Sequence, residues 1–412
     1  MPSLHFVTMK LFVYFIAAVL LFSACCKDDD KVEPELSVLV YIASDNNLSE
    51  FVATDLDEII TGSVNLSPEK NHLVAFVDKR NSTPYIMEIA QGEQTIVKTF
   101  DEEINSGSKD ALNMAMRWMV DNYPAKNYGL VLWGHADGWI IKGSRSIDPT
   151  RAYGVDKTAG NSWIDIPQMA QTLSSIPKLK FIFADCCCFQ CVESAYELRA
   201  CADYIIASPA EIPGEGAPYD KVIPALFNHA DNFYEGVVDA YYSQHSGGYS
   251  LPLSVVKTSE LENLAQATKV TLATFVPSLE NGGRYPAVDN LIYYYDHTQF
   301  DMQDFMLRYA NVDQYAEWKR AFDKAVIYKK MAPVWMANHV RYKGYTDHNS
   351  FMDFTVTEER YGGLGMYVPQ QASSITAPEY QPSRLTFSID KLNTSIQKMQ
   401  WYSAAGLNEI GW

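Results

Sequence analysis

The sequence predicts an α/β fold in which a mostly parallel sheet is flanked by helices, with a C-terminal helical and mixed extension. Two observations carry this. Continuous apolar runs of four to eight residues recur at 36–43, 72–77, 128–133, 179–184 and 204–207. Such unbroken runs mark strands buried on both faces, whereas half-exposed strands alternate. The stretches between several of these runs have apolar residues at helical spacing, which is the order of a parallel sheet with helical crossovers.

In chain order, the run 36–43 (LSVLVYIA) is followed by the polar punctuation Ser44, Asp45, Asn46 and Asn47. Phe51, Leu56, Ile59 and Ile60 then define the apolar face of a helix. After the strand 72–77, segments 85–89 and 94–98 read as a hairpin turning at Gln91-Gly92. Ser108 caps a helix through Leu112, Met116 and Met119 that ends near Pro124. The strand 128–133 follows, then a helix over 163–176, the strand 179–184, a helix over 193–202 and the strand 204–207. Beyond residue 220 the pattern weakens to helices at 261–275 and 302–325 and a late strand at 363–368. Organisation is read as a segment 1–24 that is removed, a tether 25–35, a catalytic core 36–220 and its C-terminal part 221–412.

The 412 residues suffice to bury a core without disulfide staples. With 33 basic against 50 acidic residues, the formal charge of −17 lacks the basic footprint of a nucleic-acid binder. At the N-terminus, Lys10 precedes twelve uncharged residues and then Ser23, Ala24 and Cys25. That run has signal-peptide length and is short for a membrane span. It resembles a bacterial lipoprotein signal, with lipidation at Cys25. The following Cys26, Lys27 and Asp28–Asp30 resemble the sorting signal of surface lipoproteins in Bacteroidetes-type bacteria. The expected location is the outer membrane or cell surface, with the membrane contacted through the lipid anchor.

The remaining cysteines, Cys186, Cys187, Cys188, Cys191 and Cys201, crowd one short stretch, unlike a disulfide framework. Cys188-x-x-Cys191 has metal or redox spacing but no second pair to complete a zinc set. Two reactive residue types stand at strand exits, where α/β sheets place their ligands: His135 after 128–133 and Cys187 after 179–184. A strand end followed by a helix favours a thiolate, and a histidine at a neighbouring exit supplies the base.

The residues around these two carry a resemblance. LVLWGHADGW (130–139) resembles the histidine block LxLWxHGxGW of the clostripain family of cysteine peptidases, in the caspase–gingipain–legumain clan. DCC (185–187) with VESAYEL (192–198) resembles its cysteine block DACLMxxVEVAYEL. YIASDNNL (41–48), Ala207-Ser208-Pro209, Ile212-Pro213-Gly214, Pro218-Tyr219, Gly363-Leu364 and Trp401-Tyr402 extend the similarity over about residues 36–405. The histidine lies 52 positions before the cysteine, as in the caspase-type arrangement.

The resemblance implies a caspase-like sandwich and a cysteine endopeptidase. Cys187 would be the nucleophile and His135 the general acid, with the N–H groups of Cys187 and residue 136 as oxyanion hole. Asp185 matches the residue lining the pocket for the side chain before the scissile bond (P1), so protein or peptide substrates would carry Arg or Lys there. A helix N-cap is the plainer role for Asp185. Self-cleavage between the two blocks would fall at Arg145 or Arg151. Ala136 replaces a family glycine. No residue is assigned as a metal ligand. The resemblance makes calcium a candidate cofactor, with Asp45, Asp55 and Asp57 nearby but without EF-hand spacing. The competing expectations are a catalytically silent surface lipoprotein binding protein ligands on this scaffold, and a thiol–metal protein built on Cys188 and Cys191.

Overall fold

The computed structural model describes residues 33–140, 153–244, 251–279, 285–288, 290–295, 298–332, 335, 356–371 and 389–412. Cys25, Arg145 and Arg151 lie outside these residues. Every residue of β1 (Leu36–Ser44) is buried. A short turn leads from it to α1 (Val52–Ser63), and β2 (Asn71–Lys79), β3 (Ser82–Ala90) and β4 (Glu93–Thr99) follow. α2 (Lys109–Asn122) precedes β5 (Asn127–Gly134). A ribbon of β6 (Tyr153–Asp156) and β7 (Ser162–Ile164) precedes α3 (Ile166–Leu173), β8 (Leu179–Asp185), α4 (Val192–Glu197) and β9 (Ala202–Ala207). The rest comprises α5 (Tyr219–Leu226), α6 (Phe233–Gln244), β10 (Leu253–Lys257), α7 (Leu261–Phe275), β11 (Tyr293–Tyr295) and β12 (Gln299–Asp301). It ends with α8 (Met302–Tyr309), α9 (Val312–Ala325), β13 (Val326–Lys330), β14 (Gly365–Met366), α10 (Ile389–Ser395) and α11 (Gln400–Ala404).

The large sheet has nine strands in the order β13-β10-β9-β8-β5-β1-β2-β3-β4. Its centre, β2-β1-β5-β8-β9, is parallel. β3 and β4 extend one edge and β10 and β13 the other, all antiparallel. Successive side chains of a strand point to opposite faces, and each face builds its own apolar layer. Leu39, Tyr41 and Ala43 of β1 join Leu130, Leu132 and Ile182 on one face. Val38, Val40 and Ile42 join Val131, Trp133, Phe181 and Phe183 on the other.

The local departures from expectation have identifiable causes. The helix expected from Trp163 starts at Ile166, because Trp163 pairs within β7 and Asp165 with Gln168 forms a capping box. The helix expected over 193–202 is only Val192–Glu197. The helix expected over 302–325 is two, divided where Asn311 caps α9 through Gln314 N–H. β10 and β13 were not foreseen. β10 is only five residues long, and most of β13 is half-buried without alternation.

The C-terminal part is tied to the N-terminal half through Glu193 of α4, which is fully buried. Its carboxylate accepts the Tyr367 N–H at 2.7 Å, and the Tyr367 hydroxyl donates to Asn393. Burial pushes the Glu193 carboxyl up to about 7. A carboxyl raised by folding stabilises the native state fully below its unfolded pKa, and that contribution is lost as pH rises through the folded value. Urea midpoints should therefore fall between pH 5 and pH 8, with Glu193 contributing up to about 3 kcal/mol of the change. Glu193→Gln should flatten this part of the profile; an unaltered slope in the variant would exclude Glu193 as its source.

Candidate active site

β5 ends at Gly134, whose φ of +151° and close approach to the Ala43 carbonyl (3.0 Å from an added Cβ) suit glycine. Trp133 is in register with Asp185 on the neighbouring parallel strand. His135 and Cys187 therefore each stand two residues past one paired position, on strands about 4.8 Å apart. The structure thus brings the two sequence-predicted residues to a single exit of the sheet. The His135 Nε2 lies 3.0 Å from the Asn47 Oδ1, and its ring faces Trp163 with centroids 6.4 Å apart. Its carbonyl accepts the Gly154 N–H at 2.8 Å.

Cys187 is half-buried, and its Sγ accepts the Ile212 N–H at 3.4 Å. Burial pushes the thiol well above its usual range, and the charges of Glu211, Asp137 and Asp185 act in the same direction. The helix expected from 193 begins at Val192, and a loop lies between it and the thiol. In that loop Cys188 takes φ +60°, a region that non-glycine residues occupy only when their surroundings enforce it. The enforcing contacts are the Cys188 N–H to Ala210 O at 2.9 Å and Gln299 Nε2 to Cys188 O at 2.7 Å. Ala136 is not in the left-handed region; Gly138 is, at φ +65°.

Asp185 is buried at the end of β8. Its Oδ2 accepts the Tyr219 hydroxyl at 2.7 Å and the Ala217 N–H at 3.0 Å, and its Oδ1 accepts the Tyr241 hydroxyl. It is not a helix N-cap. Gly216, at φ +61°, lies over this carboxylate: a Cβ there would sit 2.7 Å from Oδ2. Behind it, Asp55 of α1 accepts the Trp133 Nε1–H at 2.6 Å, and burial, then the Asp185 charge, raises Asp55 to about 8.

Cys186, Cys188 and Cys191 are buried free thiols of the core, as is Cys201. Among the described residues the side chains grouped closely enough to hold a metal include no cysteine. They are Asp45, Glu103 and Asp156. Asp45 thus keeps different company from that read in the sequence, because Asp55 and Asp57 sit on α1 and Asp55 is engaged by Trp133. Sequence reasoning also missed Asn47, Trp163, Gln299, Tyr219 and Tyr241. Asn47 was marked only as part of a polar strand exit. Tyr219 was read only as part of the Pro218-Tyr219 resemblance and Tyr241 not at all, since their hydroxyls reach Asp185 from later helices.

A caspase-type α/β sandwich with histidine and cysteine at adjacent strand exits is thus defined. The profile of the clostripain family, the C11 cysteine peptidases, matches residues 40–403, and the chain belongs to that family. It is 22% identical over 231 residues to clostripain of Hathewaya histolytica, covering 48% of this chain and 44% of that protein, so the chain aligns with less than half of that relative's length. A secreted C11 cysteine protease of Bacteroides thetaiotaomicron, solved with an irreversible peptide inhibitor, superposes with a TM-score of 0.71 at 28% identity, covering 91% of this chain and 99% of that one. An inactive zymogen C11 protease of Parabacteroides distasonis gives 0.70 at 28% identity with the same coverage.

Gly138 tests the packing around the site. An added Cβ would lie 2.6 Å from the Cys188 carbonyl, whereas Gly160, at φ +75°, has nothing within 4 Å. Gly160→Ala should cost only backbone strain, about 1–2 kcal/mol. Gly138→Ala should add about 1–3 kcal/mol of overpacking. Urea denaturation of both variants checks the difference, and equal costs would refute the close packing of 138 against 188.

Proposed function

We propose that the protein is a cysteine endopeptidase that cleaves after Arg or Lys, anchored at the cell surface through Cys25 and activated by self-cleavage between His135 and Cys187. The observation that carries this reading is the shared register of the two residues past the Trp133–Asp185 pair. With Nε2–H held by Asn47, Nδ1 of His135 is the nitrogen that exchanges protons. It takes the thiol proton as Cys187 Sγ bonds to the scissile carbonyl carbon. The N–H groups of Cys187 and Ala136 hold the resulting oxyanion. His135 then passes the proton to the departing amine, and water releases the acyl group from sulfur.

The raised thiol pKa gives substrate charge a role. Burial and nearby carboxylates keep the thiol protonated, and a cationic P1 side chain brought to Asp185 offsets part of that negative charge. Asp185 is pre-oriented for this by Tyr219, Tyr241 and the Ala217 N–H. In a P1 scan of fluorogenic peptides, wild type should cleave Arg and Lys substrates, and Cys187→Ala should lose activity by about 10³-fold or more. Asp185→Asn should lose the basic preference, by about 10²-fold or more. Equal rates in wild type and Cys187→Ala would favour the silent binding scaffold.

Self-cleavage is supported by the placement of Arg145 and Arg151 between the two site residues and by the similarity to an inactive zymogen. The bacterial lipoprotein-type signal supports the anchor, and the secreted relative supports export. Among the described residues no helix is long and apolar enough to cross a membrane. Intact mass spectrometry of active protein from membranes should show two fragments parted after Arg145 or Arg151, the first beginning at acylated Cys25. Cys187→Ala should show one chain. A single intact chain in active wild type, or an unmodified Cys25, would refute the respective half.

A further inference from the structure

The geometry points to the cavity behind Trp163 as the site that holds the residues following the scissile bond, and to Trp163 as the residue that reads them. The inference rests on the peptidase reading and adds the leaving side of the substrate to it. The cavity has a volume of about 410 Å³, within the range of formed binding pockets. Its walls include Ser108, Lys109, Asn161, Trp163, Asp165 and Gln168. They come from the start of α2, from β7 and the turn before it, and from the start of α3. These elements are fastened to one another. The Ser162 Oγ donates to the Gly107 carbonyl at 3.0 Å, and a Cβ on Gly107 would lie 2.1 Å from the Ser162 carbonyl oxygen. Glycine at 107 lets the ribbon approach α2 this closely, so the cavity is preformed. Gly160 also lines it, and an added Cβ there meets nothing within 4 Å.

Its neighbours put this cavity on the leaving-group side. The Trp163 ring is shared: it walls the cavity, and the His135 ring lies against it with centroids 6.4 Å apart. His135 hands the proton to the departing amine, so the chain that follows that amine starts beside it. Asp185, which takes the P1 side chain in this reading, is served from one face of the sheet. Its partners Tyr219 and Tyr241 belong to the layer with Val131 and Phe183. The elements that wall the cavity contribute Leu112, Ile164 and Ile166 to the opposite layer, with Leu130 and Leu132. A peptide held at Asp185 and reacting between Cys187 and His135 thus crosses the rim of the sheet toward Trp163. At about 3.3 Å per residue of extended chain, the 6.4 Å from His135 to Trp163 corresponds to about two residues. Trp163 therefore meets the second residue after the bond. Lys109 and Asp165 carry opposite charges, and Lys109 is paired with Asp110 at 3.2 Å. An aromatic wall among hydroxyl and amide groups suits a planar side chain with a polar tip, such as that of tyrosine.

Capture of the acyl group by added amines tests this. An arginyl coumarinylamide substrate has no peptide beyond the bond, and the acylated Cys187 it forms is released by water or by a dipeptide amide. In the second case the amine nitrogen bonds to the acyl carbon, the C–S bond breaks and the amine proton returns to sulfur through His135. In wild type, seryl-tyrosine amide should capture the acyl group about three- to tenfold more often than seryl-glycine amide. Trp163→Ala should remove most of that excess. Gly160→Asn should reduce it too, because asparagine keeps the left-handed backbone and occupies the open space. The ratio of the two products does not depend on how much active enzyme a variant retains. Equal capture of both amines by wild type, capture of neither, or an excess that both variants keep would overturn the inference and leave the peptidase reading standing. No hydrolysis of the coumarinylamide by wild type would overturn both.

Discussion

The in-register pairing of β5 with β8 is the constraint on which the rest depends. Both strands are covered on both faces, so sliding either by one residue would drive every side chain to the wrong layer. Trp133 opposite Asp185 is therefore fixed by packing far larger than the site itself. His135 and Cys187 inherit their alignment from that pair rather than from contacts of their own. The placement of this histidine and cysteine is a by-product of core registration, which sets both on rigid elements.

The loop behind Cys187 shows the complementary device. It has no regular structure, yet its backbone is fixed at Cys188 by Ala210 and Gln299, and at Gln190 by Ser208 and Gly365. These partners come from three separate places in the sequence, around 208–210, 299 and 365. The Gln190 amide reaches the Ser254 and Ile205 carbonyls as well. A strained residue next to a reactive one persists because surrounding elements over-determine it.

The central strands were legible because a strand buried on both faces writes itself as an unbroken apolar run, as at 36–43 and 128–133. His135 and Cys187 were legible because they follow such runs at once. β13 was hidden because most of it is only half-buried, so neither a run nor alternation appears. The tyrosines around Asp185 were hidden because a buried hydroxyl looks like any core aromatic until its partner is placed. The raised Cys187 thiol was not legible, because the burial and the Glu211 and Asp137 charges that cause it come from residues whose placement beside it only the fold reveals. Asp45 likewise belongs with Asp156 and Glu103, residues its own neighbourhood in the chain does not mention.

The order of strands carries one more consequence. β1 to β5 precede the segment 141–152, while β8, β9, β10 and β13 follow it, yet the sheet runs continuously across the β5–β8 junction. A chain cut in that segment would still be joined by the β5–β8 pairing, along the line that holds the histidine and the cysteine. Its unfolding would then differ in molecularity from that of the uncut chain. The intact polypeptide regains its fold as a single molecule, whereas two separated pieces must first find each other. Cutting would turn a concentration-independent equilibrium into one that dilution opposes, so unfolding of a chain cut there would be effectively one-way.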